Sequence, residues 1–214
     1  VAAPADWVDV SDGGEAVTCP LGTPVRCGIA CCAGPCREGG GCATLAGVAG
    51  AQATTCAWTV AGEAGCWGAD AMFGASVPLA SAVPRRVAGV EHVQSLEVSA
   101  LGACAVTRES TVSCWTYGQP AAAWTGDDGL PLANVRQMAM GEGHRCAVFT
   151  DGHVACWGDD SRHQLGRAST SDAAVPSSTV VDGAGARLSD IAQVAVGDRF
   201  TCARRSDGAV LCWG

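Results

Sequence analysis

No lysine occurs in the 214 residues, and that absence excludes every mechanism built on a lysine amine: no Schiff base, no phosphate-binding P-loop, no Ser-Lys dyad. Positive charge is scarce as well, with 13 Arg against 21 Asp and Glu and a formal charge of −8, the wrong balance for neutralising nucleic-acid phosphates. Aromatic rings other than indole are few, at three Phe and one Tyr. No run of 18 apolar residues exists, so no helix is expected to span a membrane. There is no basic-then-apolar leader, and the chain begins at Val1, which fits a processed, exported chain and equally a trimmed one. His92, His144, His153 and His163 form no HExxH-type metal pair, and no G-x-S-x-G nucleophile elbow is present. No catalytic, cofactor or metal residues are assigned, and the chain is read as a non-enzyme without a cofactor.

What is abundant is cysteine. Fourteen residues, an even number, exceed what a chain kept in a reducing compartment carries as inert thiols, so an oxidising compartment is expected. Eight of them set a register. Cys56/Cys66, Cys104/Cys114, Cys146/Cys156 and Cys202/Cys212 are each ten apart, and the second is always followed by Trp67, Trp115, Trp157 or Trp213. Upstream of the first cysteine the apolar positions recur: Val135, Met138, Met140 then Gly141, and Ile191, Val194, Val196 then Gly197. Looser copies are Val93, Leu96, Val98 then Ser99, and Leu45 and Val48 with Gly50 and Ala51. The first cysteines lie 48, 42 and 56 residues apart, a period near that of propeller blades.

Each copy reads as a hairpin. In the third, the loop Thr150-Asp151-Gly152 puts Gly152 where a left-handed residue is needed, with Gly62 and Gly208 equivalent. Pairing outward sets His153 opposite Phe149, Val154 opposite Val148 and Cys156 opposite Cys146. The second copy has Ser110 at the glycine position and is expected to be the most strained or different. Directly opposed cysteines are within disulfide reach; metal-bound or redox-active thiols are the alternatives.

The third copy, from Val135 through Cys146, Cys156-Trp157-Gly158 to Gln164-Leu165-Gly166, resembles the RCC1 repeat, in the secreted bacterial variety whose paired cysteines flank the central hairpin. The resemblance covers about residues 44–214. In the first copy Met72-Phe73-Gly74 takes the place of the Gln-Leu-Gly element, and in the second Trp115-Thr116-Tyr117-Gly118 breaks the Trp-Gly step. It implies an all-β propeller of four-stranded antiparallel blades, about seven in a closed ring, with structural Gly and Trp and no shared catalytic set. Repeats at about 44–86, 87–132, 133–187 and 188–214 make four, the last stopping at Trp213-Gly214. A longer polypeptide, or another chain completing the ring, is therefore expected. The nucleotide-exchange and chromatin role of the family's nuclear member does not carry over to an acidic, disulfide-rich chain. A secreted bacterial member that inhibits β-lactamases is a precedent for a propeller face that binds an enzyme.

The other six cysteines, Cys19, Cys27, Cys31, Cys32, Cys36 and Cys42, fall in a Gly- and Pro-rich stretch too short for a core, so residues 19–43 read as a cross-linked module behind a linker at 1–18. Their order resembles the inhibitor cystine knot, which implies Cys19–Cys32, Cys27–Cys36 and Cys31–Cys42. A stapled cap or spacer, a protease- or channel-blocking knottin and a metal site are the readings of this module. Asp127-Asp128 and Asp159-Asp160 sit beside turns, where Asp bonds its own backbone, and neither spells a calcium loop. Trp7, Trp58 and Trp124 are off the repeat register; Trp124 and Trp58 are the candidate interface residues, with Trp124 expected to be exposed. The expectation is an extracellular, cell-surface or periplasmic bacterial protein that binds proteins in an extracellular assembly. An enzyme inhibitor and a carbohydrate-binding module are the alternatives.

Overall fold

The computed structural model describes residues 25–27, 30–32, 44–68, 81–100, 102–116, 119–167 and 179–214. Among them there are strands and turns and no helix. A short ladder joins β1 (Val25–Cys27) to β2 (Ala30–Cys32), pairing Arg26 with Cys31. The proposed pairing of the six-cysteine module and the linker at 1–18 lie outside the described residues.

Four antiparallel sheets follow, one per repeat. The first is β3 (Leu45–Ala51), β4 (Thr54–Thr59), β5 (Ala64–Gly68) and β6 (Ser81–Arg86), paired in that order. The second is β7 (Val93–Ser99), β8 (Gly102–Thr107), β9 (Val112–Trp115) and the two-residue β10 (Ala122–Ala123). The third is β11 (Val135–Met140), β12 (His144–Phe149) and β13 (Val154–Gly158); the fourth is β14 (Ile191–Val196), β15 (Thr201–Arg205) and β16 (Val210–Trp213). Four strands per blade were expected. The third and fourth sheets have three among the described residues, although a single bridge from Ala155 to Thr179 stands where a fourth strand of the third sheet would lie. The broken Trp-Gly step does not cost the second blade its outer strand, because β10 still pairs with β9.

The hairpin register follows from the cysteine spacing: Cys56 faces Cys66, Cys104 faces Cys114, Cys146 faces Cys156 and Cys202 faces Cys212. Each pair is a disulfide with Cα atoms 4.0–4.1 Å apart. Val148 pairs with Val154, and the Phe149 and His153 rings stack with centroids 4.0 Å apart. At the hairpin tip Ser110 takes φ 60°, the left-handed conformation that Gly62, Gly152 and Gly208 adopt in the other copies, so the strain read from the sequence is present in the backbone. All four leading strands shift register at their second residue, at Ala46, Gln94, Arg136 and Ala192.

Among the described residues, apolar side chains form three cores, each between consecutive blades, so the second and third sheets are buried on both faces while β3 and β16 leave the outer faces of the first and fourth exposed. Val93, Leu96 and Val98 of the second blade close on Cys56, Ala64 and Cys66 of the first. Val135, Met138 and Met140 of the third close on Val106, Val112 and the Cys104–Cys114 pair of the second. Ile191, Val194 and Ala203 of the fourth close on Val148, Val154 and the Cys146–Cys156 pair of the third. A blade thus buries its leading strand against its predecessor and its disulfide hairpin against its successor. In the two middle sheets, burying both faces excludes the alternating polar pattern of a half-exposed sheet.

Candidate functional site

The chemistry of the described residues is concentrated at the joints between blades. Each joint begins with the same main-chain clasp. The tip carbonyls of Gly62, Ser110 and Gly152 accept the N–H of Val93, Val135 and Ile191, the first residue of the next leading strand, at 2.8–2.9 Å. The residue before that strand turns back and accepts from the next hairpin tip: Arg108 N–H donates to the His92 carbonyl, Thr150 N–H to that of Asn134, and Ser206 N–H to that of Asp190. His92, Asn134 and Asp190 all sit at φ 54–60°, and Asn, Asp and His tolerate that region best among side-chain-bearing residues. Gly152 serves a second need there, since a Cβ on it would stand 3.2 Å from the Asp190 nitrogen.

An outer connection repeats beside the clasp. Val87, Trp124 and Val180 each donate their N–H to the carbonyl of Ala64, Val112 or Val154, two residues before the second cysteine. Trp124 is therefore in register after all; the unequal linkers hide this in the sequence. It is half-buried rather than exposed, packs on the second core, and carries the Arg145 guanidinium 4.2 Å from its ring centroid. That stack occupies the indole face with a cation–π contact across the joint. Burial lowers the Arg145 pKa from its usual value, and it raises that of Glu97, which faces Cys104 across the ladder where the other repeats have Ala49, Ala139 and Ala195. Trp58 is likewise half-buried, against the first core, and fills the space over Gly47 that a Cβ there would occupy.

The third joint adds side-chain bonds that the sequence did not single out. Gln137 makes a two-point contact with the next blade: its Nε2 donates to the Val194 carbonyl at 2.9 Å and its Oε1 accepts the Val194 N–H at 3.0 Å. Deeper in, fully buried Thr201 donates its hydroxyl to the Gln164 carbonyl at 2.9 Å. That carbonyl also receives the Trp213 indole N–H at 3.0 Å. With its one proton spent, Thr201 Oγ1 must accept from His144 Nε2 at 2.8 Å, so neutral His144 carries its proton on Nε2. Its Nδ1 is buried with no partner among the described residues, and burial lowers its pKa because a second proton would be stranded there. Gln164 belongs to the Gln-Leu-Gly element, which was legible; its partner Thr201 carries no local signal.

Asp159 accepts from Ser161 and Gln164, and Asp160 from Leu165 N–H and Arg167, so this acidic pair braces its own loop. Asp128 likewise caps a turn through Leu130 N–H. Among the described residues no group of three His, Cys, Asp or Glu is placed to hold a metal ion, and no helix is long and apolar enough to cross a membrane.

Successive four-strand or three-strand antiparallel sheets, each packed face to face with the next through one repeated joint, define a β-propeller repeat protein. Its hairpins place it further. The sequence pattern of the regulator of chromosome condensation (RCC1) repeat matches residues 135–164 and 191–214, so the hairpins of the third and fourth blades resemble RCC1 repeats. Protein pim1 of Schizosaccharomyces pombe is 37% identical over 98 residues, spanning 41% of this chain and 18% of that protein. The ultraviolet-B receptor UVR8 of Arabidopsis thaliana is 36% identical over 80 residues, 37% of this chain and 17% of the receptor. Among solved structures, yeast RCC1 (Prp20), in a complex with Kap60, superposes with a TM-score of 0.61 at 18% identity, covering 86% of this chain and 47% of that one. Human WBSCR16 superposes at 0.62 and 19% identity, with 79% and 47% covered. The chain spans about half the length of these propellers and under a fifth of the curated relatives it matches.

Proposed function

We propose that this chain is a non-enzymatic propeller segment, exported by a bacterial cell, that serves as a protein-interaction and structural component of an assembly outside the cytoplasm. The carrying observation is where the polar chemistry goes. Gln137, His144, Gln164 and Thr201 bond to each other or to main chain across blade joints, leaving rims and faces rather than a reactive cleft as the working surface. A disulfide in every blade supports export, because such bonds persist in oxidising compartments. The yeast relative supplies a precedent for binding: its structures are described with Kap60 and with its binding to Gsp1p and histones. Fractionating the source cells tests the reading. Recovery from the envelope or a larger extracellular assembly is the expected outcome. A free monomer in the medium refutes it, and a tight soluble complex with one hydrolase replaces it with the inhibitor reading.

A further inference from the structure

The third joint buries an ionisable ring where the first two do not. His144 is fully buried at the start of β12, two residues before Cys146, at the place taken by Thr54 in the first blade and Gly102 in the second. Its Nε2 proton is committed across the joint to Thr201 Oγ1 at 2.8 Å. Thr201 in turn donates to the Gln164 carbonyl, which also holds the Trp213 indole N–H of the fourth blade. Nδ1 is closed to water and has no acceptor among the described residues. The charged groups that act on the ring come from both blades: Asp159 and Asp160 on the loop after β13, and Asp198 on the turn between β14 and β15. Each is engaged elsewhere, Asp159 by Ser161 and Gln164, Asp160 by Leu165 N–H and Arg167, and Asp198 by Arg199.

We propose that the third joint is an acid-sensitive hinge, in which a second proton on His144 frees the fourth blade from the third while the first two joints stay closed. That proton would sit on Nδ1, inside the joint and without an acceptor, so the ring can hydrate it only by giving up Thr201. Parting the blades breaks the two bonds between Gln137 and Val194 and the Gly152 clasp on Ile191, and it lifts the Trp213 ring from its seat over Gly166. The direction follows from burial, which outweighs the three carboxylates and holds the His144 pKa below its unfolded value of 6.5. Closure is therefore complete above about pH 6.5 and weakens as the pH falls below it. The second joint has the opposite sign. Glu97 stands beside Cys104 there, and burial raises its pKa, so acid favours the neutral form that the closed joint accommodates. At the tip of the third blade burial also lowers the His153 pKa, but its Nδ1 faces Asp151, which Arg187 also contacts, so a second proton there meets a carboxylate. The hinge does not depend on which partner the propeller binds.

Three equivalent amides report on the three joints, because Val93, Val135 and Ile191 each donate to the preceding hairpin tip. Native-state hydrogen exchange of the full chain with disulfides intact, expressed as protection factors to remove the intrinsic pH dependence of exchange, compares them within one molecule. From about pH 7.5 to about pH 5.5, protection of Ile191 should fall by up to about tenfold, the ratio set by one pH unit below the unfolded pKa. Val194, held by Gln137 across the same joint, should fall with it, while Val93 and Val135 stay within about twofold. His144→Gln, which keeps a side-chain N–H for Thr201 but takes no second proton, should abolish the fall, as should His144→Phe. His153→Gln should leave it in place. Equal loss at all three amides overturns the hinge, as does unchanged protection at Ile191. A fall that survives His144→Gln, or one that His153→Gln removes, overturns the assignment to His144.

Discussion

Replacing Thr201 with Val tests the buried network of the third joint with almost no change of shape. Among the described residues the hydroxyl links His144 on one blade to the Gln164 carbonyl beside the next. Without it the carbonyl keeps Trp213 as donor, but the His144 Nε2 proton is stranded on a ring whose other nitrogen already lacks a partner. A buried donor left unpaired costs about 2 kcal/mol, a large fraction of the stability of an ordinary domain. Equilibrium urea unfolding with disulfides intact, followed by tryptophan fluorescence, reads the difference. The double variant His144→Phe/Thr201→Val should be less destabilised than Thr201→Val alone, because replacing both partners with apolar groups removes the stranded donor. The fourth blade already carries Phe200 at the place of His144. A Thr201→Val variant within about 0.5 kcal/mol of the parent, or single-variant costs that simply add, would refute the network.

Further outcomes follow from the same geometry. Since burial holds the His144 pKa below its unfolded value of 6.5, the unfolded chain binds the extra proton first, so stability should fall as pH drops below about 6.5. His144→Phe should flatten that part of the pH profile; an unchanged slope sinks the assignment. Ser110→Gly should raise the melting temperature, a gain of about 0.5 kcal/mol, because it relieves a side-chain-bearing residue at φ 60° while keeping the carbonyl bond to Val135. Gly152→Ala, at φ 83° and against Asp190, should lower the melting temperature, a loss of about 1–2 kcal/mol in stability. Converting Cys146 and Cys156 together to Ser should cost about 3 kcal/mol on the chain-entropy account, measured by the same urea unfolding.

Much of the hairpin architecture was legible because it is local. A ten-residue spacing and a glycine at a known offset determine which residues face each other, and a side chain in place of that glycine announces its own strain, as Ser110 does. Trp124 was misread for the opposite reason. Its equivalence with Val87 and Val180 depends on a hydrogen bond to the preceding hairpin, and linkers of unequal length erase the register that would reveal it.

By itself the sequence determined the all-β repeat, the register of the central hairpin in each blade, the four hairpin cysteine pairs and the absence of lysine chemistry. These depend on residues within a few positions of one another, where backbone geometry leaves few choices. Only the tertiary structure decided that Gln137 would grip Val194, that His144 would share a hydroxyl with Thr201, and that Arg145 would cover Trp124. Those contacts cross from one blade to the next over 21 to 57 residues of chain, and packing of two complete sheets, rather than any local preference, brings them together.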